Sequence, residues 1–345
     1  MTSTAFRLPA EWEPQAGVLL AWPHAQTDWA KRLVEVESTC TALVAAISRF
    51  EPVLVCVADA DVRARAERLI SAACTGHKSK IQFIEIEYDD TWLRDSGPLT
   101  LTDGRSFALN DFRFTGWGGK FEASRDDCLI GGLFARDLFP SAEHRRVDWA
   151  LEGGAIESDG AGTLLTTWRC LHQRHPELSR EQMTRILCDK LAAKRVLWLE
   201  RGYLQGDDTD AHIDTLARFA PDDAIVFQAC DDPADAHFHE LAAMREELSA
   251  LRTPRGKPYR LHPLPWARPI SDDGRRLAAS YANYLIVDGA VLVPAYDDPA
   301  DAEAARVIAS AHPGRDVVAV PCRPLIWQNG SLHCMTMQLP RGVLG

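Results

Sequence analysis

The chain of 345 residues is 46% hydrophobic and 25% charged, an ordinary globular composition long enough for one large domain or two. No apolar run approaches the roughly 20 residues that span a bilayer, and residues 1–14 lack the basic and apolar regions of a signal peptide. A formal charge of −11 argues against a basic nucleic-acid-binding face and suits either a cationic small molecule or plain solubility; nine cysteines, with no CxxC spacing, read as reduced thiols of a cytoplasmic protein.

Along the chain, Glu11–Pro23 reads as a turn and a buried strand over Val18–Trp22, stopped by proline. Aliphatics at helical spacing (Leu33, Val36, Leu43, Val44, Ile47) predict an amphipathic helix over residues 27–50, opened by Thr27 or Asp28. Strands are expected at 53–58 and 81–88, with a helix at 61–73 between them. After TWLRDSGP (91–98), the short strands 99–102 and 106–112 flank Asp103-Gly104, a strong hairpin signal. The same syntax returns at Asp159-Gly160 before 163–167, at Pro221-Asp222-Asp223 between 216–219 and 224–229, and at Asp288-Gly289 between 284–287 and 291–294. Each hairpin precedes a helix candidate (127–138, 179–192, 234–251, 299–311) and then a strand (145–149, 196–200, 259–264, 317–320).

This spacing predicts a degenerate repeat of hairpin, helix and strand at a period of roughly 60 to 70 residues. The first unit has one hairpin strand only, and 332–338 is the candidate for its missing partner. The expected fold is therefore a single α/β domain over 1–345, a pseudo-symmetric ring of five units closed by pairing of the last strand with the first unit, which removes sheet edges. In such a ring the segments just ahead of the hairpins are equivalent stations: WLRD (Asp95), LEGG (Glu152), DAHID (His212, Asp214), SYANY (Asn283) and SLHC (Cys334).

The acidic stretch Gly206–Asp214, GDDTDAHID, holds four carboxylates and a histidine in nine residues, which are costly to bury without a cationic partner. If extended, it projects His212 and Asp214 from one face. Cys334 is the one cysteine with an adjacent histidine, and His333, pointing the other way along a strand, is expected to play a structural part. A cysteine, a histidine and three carboxylates suit nucleophilic attack on a guanidinium, which carboxylates grip through paired hydrogen bonds. Thiolate attacks better than water, and a histidine protonates the departing ammonia and activates the second-step water. The acidic run lacks the spacing of a calcium loop, so no metal is expected; GWGGK (116–120) reads as a tight turn rather than a phosphate loop, and His237-Phe238-His239 as exposed.

The ordered set EWEP, WLRDSGP, FRFTGWGGK, LEGGAIESDG, DDTD-x-HID, SYANY and LHC-x-T resembles the agmatine deiminase branch of the guanidine-modifying enzymes, relatives of bacterial peptidylarginine deiminase, over nearly the whole chain. The resemblance implies a five-bladed, pentein-like α/β propeller and conversion of agmatine and water to N-carbamoylputrescine and ammonia, a step of putrescine biosynthesis, without cofactor. It also implies Cys334 as nucleophile, His212 as general acid and base, Asp95 and Asp214 as guanidinium partners, and Glu152 as the carboxylate orienting His212. Trp92 and Trp117 would line the slot for the methylene chain, and Asp208 would face the far amine. Ala211 stands where such enzymes often carry glycine, Gln15 where histidine is common, and residues 328–331 replace a glycine-rich run. Rival readings are a deiminase of free, methylated or peptide C-terminal arginine, an amidino transferase, and a noncatalytic binder of cationic amines. A tail carboxylate would need a cation near Asp208, for which Arg201 is the nearest in sequence. The expected partner is the small cationic substrate, not nucleic acid or membrane, and a homodimer is the base-rate expectation.

Overall fold

The structure, a computed structural model, describes residues 5–74, 76 and 80–344, so the ends of the 1–345 span lie outside it. Strand β1 (Gln15–Ala21) is followed by β2 (Val53–Val57) and β3 (Ile81–Glu85), all parallel neighbours. The next three sheets run in chain order: β4 (Leu99–Thr102), β5 (Phe107–Arg113) and β6 (Ala142–Ala150); β7 (Glu157–Ser158), β8 (Thr163–Thr167) and β9 (Arg195–Leu199); β10 (Ala217–Ala220), β11 (Ala224–Gln228) and β12 (Arg260–Leu264). A two-stranded ribbon of β13 (Ser271–Asp272) and β14 (Arg275–Arg276) precedes the sheet of β15 (Leu285–Val287), β16 (Ala290–Ala295) and β17 (Asp316–Pro321). In each three-stranded sheet the first two strands form an antiparallel hairpin and the third joins in parallel. The first sheet acquires the same pattern from β18 (Thr336–Pro340), antiparallel to β1 with Val18 opposite Gln338 and Leu20 opposite Thr336.

Burial explains which strand lies where. The middle strands β2, β8 and β11 are buried at every position, and their sequences VLVCV, TLLTT and AIVFQ carry no alternation because both faces are covered. The third strands meet solvent on one side, as in β17, where only Val320 is buried. Val36, Cys40, Leu43, Val44 and Ile47 form the buried stripe of the helix Leu33–Ser48. The expected helix over 27–50 begins instead as a 3-10 turn, Asp28–Arg32, whose N-cap Thr27 accepts from the Trp29 amide.

Three local expectations are corrected. The helix Trp168–Arg174, capped by the Thr167 side chain, is additional to the expected set. Residues 332–335 form a turn, and the strand starts only at Thr336. His237 is buried, its ring held between Asp235 and the Gln205 amide; of the pair expected on the surface, only His239 is exposed. Among the described residues no helix is long and apolar enough to cross a membrane.

Candidate active site

Each candidate side chain hangs on a short turn just ahead of a hairpin. Asp95 lies in the one-turn helix Leu93–Ser96 before β4, Glu152 precedes the turn Gly153–Ala155, His212 caps the turn Ile213–Thr215 that carries Asp214, and Cys334 lies in the turn before β18. His212 and Asp214 therefore do not share the face of an extended segment: the 3-10 turn between them aims both side chains inward by a different route. Likewise His333 and Cys334 do not point oppositely. Turn geometry brings both to one oxygen, with His333 Nδ1 2.8 Å and Cys334 Sγ 3.4 Å from Asp214 Oδ2.

The stations converge. His212 Nδ1 is 3.5 Å from Asp95 Oδ1 and its Nε2 3.5 Å from Glu152 Oε2. Asn283 donates from Nδ2 to Cys334 Sγ at 3.0 Å and accepts the Cys334 amide at 3.2 Å, holding the thiol from both sides. Asp95 accepts from Trp117 Nε1 at 2.9 Å and from the Gly154 amide at 3.0 Å. A Cβ at Gly154 would lie 2.7 Å from both Asp95 Oδ1 and His212 Nδ1 and 3.1 Å from Asp214 Oδ2, so three charged groups surround one point that only glycine leaves open. Asp214 Oδ1 and both His212 nitrogens, all buried, have no hydrogen-bond partner of good geometry among the described residues. Buried polar atoms in that state mark a place built for another polar group.

Electrostatics divide the labour. Burial alone would lower the His212 pKa, but Asp95, Cys170 and Glu152 reverse this and hold it well above the ordinary value, so the ring is an imidazolium. Glu152 is kept below the carboxylate range against burial, by His212 and by Arg174, whose Nε bonds it at 2.7 Å. Asp95 is pushed up to about 6 by burial, with the His212 charge opposing and the Asp214 and Glu152 charges adding. Burial and then the charges of Asp214 and Asp95 raise the Cys334 thiol well above normal, so it rests as a thiol until a cation enters. Burial would raise the Asp214 carboxyl, but its contact with His333 and the charges of His212 and Arg218 hold it below its ordinary range.

A cavity of about 330 Å³ opens over Cys334. Trp92, Trp117, Phe121 and Trp327 form its walls, and Asp28, Asp90, Asp95 and Asp208 supply carboxylates. Trp92 lies flush against the backbone, since a Cβ at Gly330 would fall 2.1 Å from its ring. Trp117 adopts φ 56 within GWGGK, and this strained turn is what aims its indole at Asp95. Burial raises Asp208, with Asp207 adding, and burial raises Asp90 to about 7.

Some of these residues escaped the sequence reading. The Arg174 side chain is buried and joins Glu152 to Asp210 at 2.6 Å, while Lys120 Nζ reaches Asp210 at 2.6 Å and the Asp208 carbonyl at 2.5 Å. The acidic run is thus met from within by these two cations. Arg201 pairs with Glu240 and does not line the cavity; the arginine that lines it together with Asp208 is Arg275, on β14, which donates to Asn329 Oδ1 at 2.6 Å. The presence of arginine in the ribbon after β12 was visible, but not its direction. Among the described residues two side-chain clusters have metal-like donors, Glu152–Cys170–His212 and Glu11–Glu157–His333. Arg174 already engages the first, and Arg218 bonds both carboxylates of the second, so each has its cation from the chain itself.

The family model of Porphyromonas-type peptidyl-arginine deiminases matches residues 7–340. An agmatine deiminase of Pseudomonas aeruginosa is 34% identical over 97% of this chain and 95% of its own. A cysteine-to-serine variant of a C. jejuni agmatine deiminase with substrate bound superposes with a TM-score of 0.90 at 31% identity, covering 98% of this chain and 97% of that one. A structure from Porphyromonas gingivalis, provisionally assigned as an arginine deiminase, is 45% identical with a TM-score of 0.90 over 98% and 99% of the two chains.

Proposed function

The chain belongs to the Porphyromonas-type peptidyl-arginine deiminase family, and from that premise we infer that it is an agmatine deiminase, a hydrolase of a linear amidine C–N bond. Full-length similarity to agmatine deiminases supports the activity. The observation that carries the chemistry is the convergence of Asp95, His212 and Asp214 on the point left open by Gly154, with Cys334 Sγ 3.4 Å from Asp214 Oδ2.

In the proposed reaction Asp95 and Asp214 grip the guanidinium and keep it cationic, which makes its carbon electrophilic. The approaching cation stabilises the Cys334 thiolate, and Sγ attacks that carbon. His212, already an imidazolium, gives a proton to the departing ammonia and leaves an amidino-thioether. The now neutral ring takes a proton from water, which attacks the same carbon and expels the thiolate with N-carbamoylputrescine. Glu152 orients the imidazole throughout. No cofactor enters this scheme.

For the tail, three carboxylates (Asp28, Asp90, Asp208) against Arg275 favour an ammonium. Arg275 is also the observation that favours a second reading, an arginine or C-terminal peptide whose carboxylate it would meet. Ammonia release from agmatine, arginine and an arginine-ending peptide, by wild type and Cys334→Ser, separates them. Agmatine turnover abolished by the substitution is expected. Preference for a carboxylate-bearing substrate would transfer the tail site from the acidic wall to Arg275, and an undiminished variant would remove the thiolate mechanism.

For the architecture we propose a single domain of five repeats arranged as a propeller, with the β1–β18 pair joining its ends. The repeated hairpin-plus-parallel-strand order supports it. Nine free thiols support residence in the reducing cytoplasm.

A further inference from the structure

Ionising Cys334 frees a proton, and neither obvious acceptor suits it. His212 is held as an imidazolium by Asp95 and Glu152. The cavity above the thiol is the entry route, and a bound substrate with its methylene chain between Trp92 and Trp117 plugs it. Asn283 Nδ2 only donates to Sγ, which leaves Asp214 Oδ2, 3.4 Å away, as the group that accepts from it.

Behind that oxygen runs an unbroken chain. His333, fully buried, places Nδ1 2.8 Å from Asp214 Oδ2 and Nε2 2.8 Å from Glu11 Oε1. Glu11 lines a second cavity, of about 70 Å³, together with Glu13, Gln15, Thr100 and Ser158. That volume accommodates water, and the polar side chains within an otherwise apolar lining offer it partners. The two cavities share no lining residue. Asp214 therefore has two differently employed oxygens: Oδ2 belongs to this chain, and Oδ1 is left for the guanidinium.

We propose that Asp214, His333 and Glu11 form a relay that carries the Cys334 proton away from the substrate cavity into the second cavity. It rests on the deiminase reading above. The S–H bond breaks and leaves its electron pair on Sγ; the proton passes through Asp214 Oδ2 to His333 Nδ1. The Nε2–H proton of the same ring then moves to Glu11 Oε1, and Glu11 releases it to water. At rest the neutral ring carries its hydrogen on Nε2, toward Glu11, and leaves Nδ1 free to accept; midway through the transfer both nitrogens carry hydrogen and the ring bonds both carboxylates, each 2.8 Å away.

The charges around the relay suit a transient proton. Arg94 lies 3.1 Å from Glu11 Oε1 and donates to the His333 carbonyl, and Arg218 Nη2 bonds Glu11 Oε2 at 2.6 Å while its Nε bonds Glu157. Gln338 donates to Glu11 Oε2 at 2.9 Å. His333 faces Asp214, Glu11, Arg94, Arg218 and Cys334. Burial first, and then the charges of Arg218 and Arg94, lower the His333 pKa against Glu11 and Asp214, so the proton does not stay.

The test is stopped-flow mixing of the full chain with 2-chloroacetamidine, a cationic thiol reagent, in weakly buffered solution with a pH indicator. Alkylation releases one proton per site without turnover. Glu11→Gln and His333→Gln are expected to slow both alkylation and proton appearance by about tenfold or more, with KM for agmatine within about twofold of wild type. Formate is expected to restore the rate in Glu11→Ala but to leave wild type unchanged. Unaltered proton release in folded Glu11→Gln, or a raised KM with an unaltered alkylation rate, would reduce His333 and Glu11 to a structural support and overturn the relay. Circular dichroism melting identifies variants that fold, and Glu11→Gln, which preserves shape, decides if His333→Gln does not. Wild type that alkylates normally but leaves agmatine untouched would count against the deiminase reading and leave the relay measurable.

Discussion

A single methyl group at position 154 is expected to disable the site. Gly154→Ala puts a Cβ into the space between Asp95, His212 and Asp214 and forces those groups apart. Displacements near 1 Å cost roughly 100-fold in catalysis, so kcat/KM for agmatine should fall by about that factor while the melting temperature changes little. Asp95 sets a second expectation. Its carboxyl is pushed up to about 6, first by burial, and only the ionised form pairs with a guanidinium, so kcat/KM should decline as pH falls through about 6. The sign for stability is opposite: the folded chain holds a proton that the unfolded chain releases above about pH 4, so this group destabilises the fold as pH rises through that window. A pH profile of kcat/KM beside one of melting temperature checks both. That Asp95, Glu152, His212, Asp214 and Cys334 would lie together was legible because a repeat places chemically assertive residues at equivalent turns. Arg174 was not, because its helix spans two turns, too short for periodicity to show. The part played by His333 was half legible: a structural role was foreseen, but the turn that aims it at Asp214 has no local signature.

At the scale of elements, the turns hold the information that strand patterns do not. Ala211 sits at φ 71, directly after Asp210 at φ 68, where glycine is ordinarily required. Its amide is held by Asp207 Oδ2 at 2.8 Å, and its carbonyl by the Thr167 hydroxyl at 2.8 Å. The left-handed conformation costs a non-glycine residue about 1 to 2 kcal/mol, partly offset by the greater freedom of glycine in the unfolded chain. Ala211→Gly is therefore expected to stabilise the protein by about 0.5 to 1 kcal/mol in urea unfolding. The next turn is strapped from outside: Lys120 ties GWGGK to the Asp208 carbonyl and the Asp210 carboxylate. Lys120→Met loosens both walls of the tail site, so KM for agmatine should rise several-fold, in keeping with one lost surface-accessible ion pair, while kcat holds. The middle strands and long helices were readable from apolar runs and 3.6-residue spacing. The break at Arg32 and the late start of β18 were not, since capping and turn geometry there depend on what packs against them.

Across the whole molecule, the pairing of β1 with β18 joins residues more than three hundred positions apart and begins two residues after Cys334. A chain ended after Met335 loses the partner of β1 and the Gln338 contacts to Glu11 and Arg94. Such a chain is expected to lose cooperative melting by circular dichroism and to partition into the insoluble fraction, rather than to persist as a stable inactive protein. The same pairing imposes a schedule on biosynthesis. Ribosomes add about 5 to 20 residues per second, so Val18, Leu19 and Leu20, all fully buried in the finished protein, wait on the order of 15 to 60 s for the strand that covers their open edge. During that interval the nascent chain displays an unpaired apolar strand of the kind that chaperones engage, and the nucleophile arrives together with the segment that ends the wait.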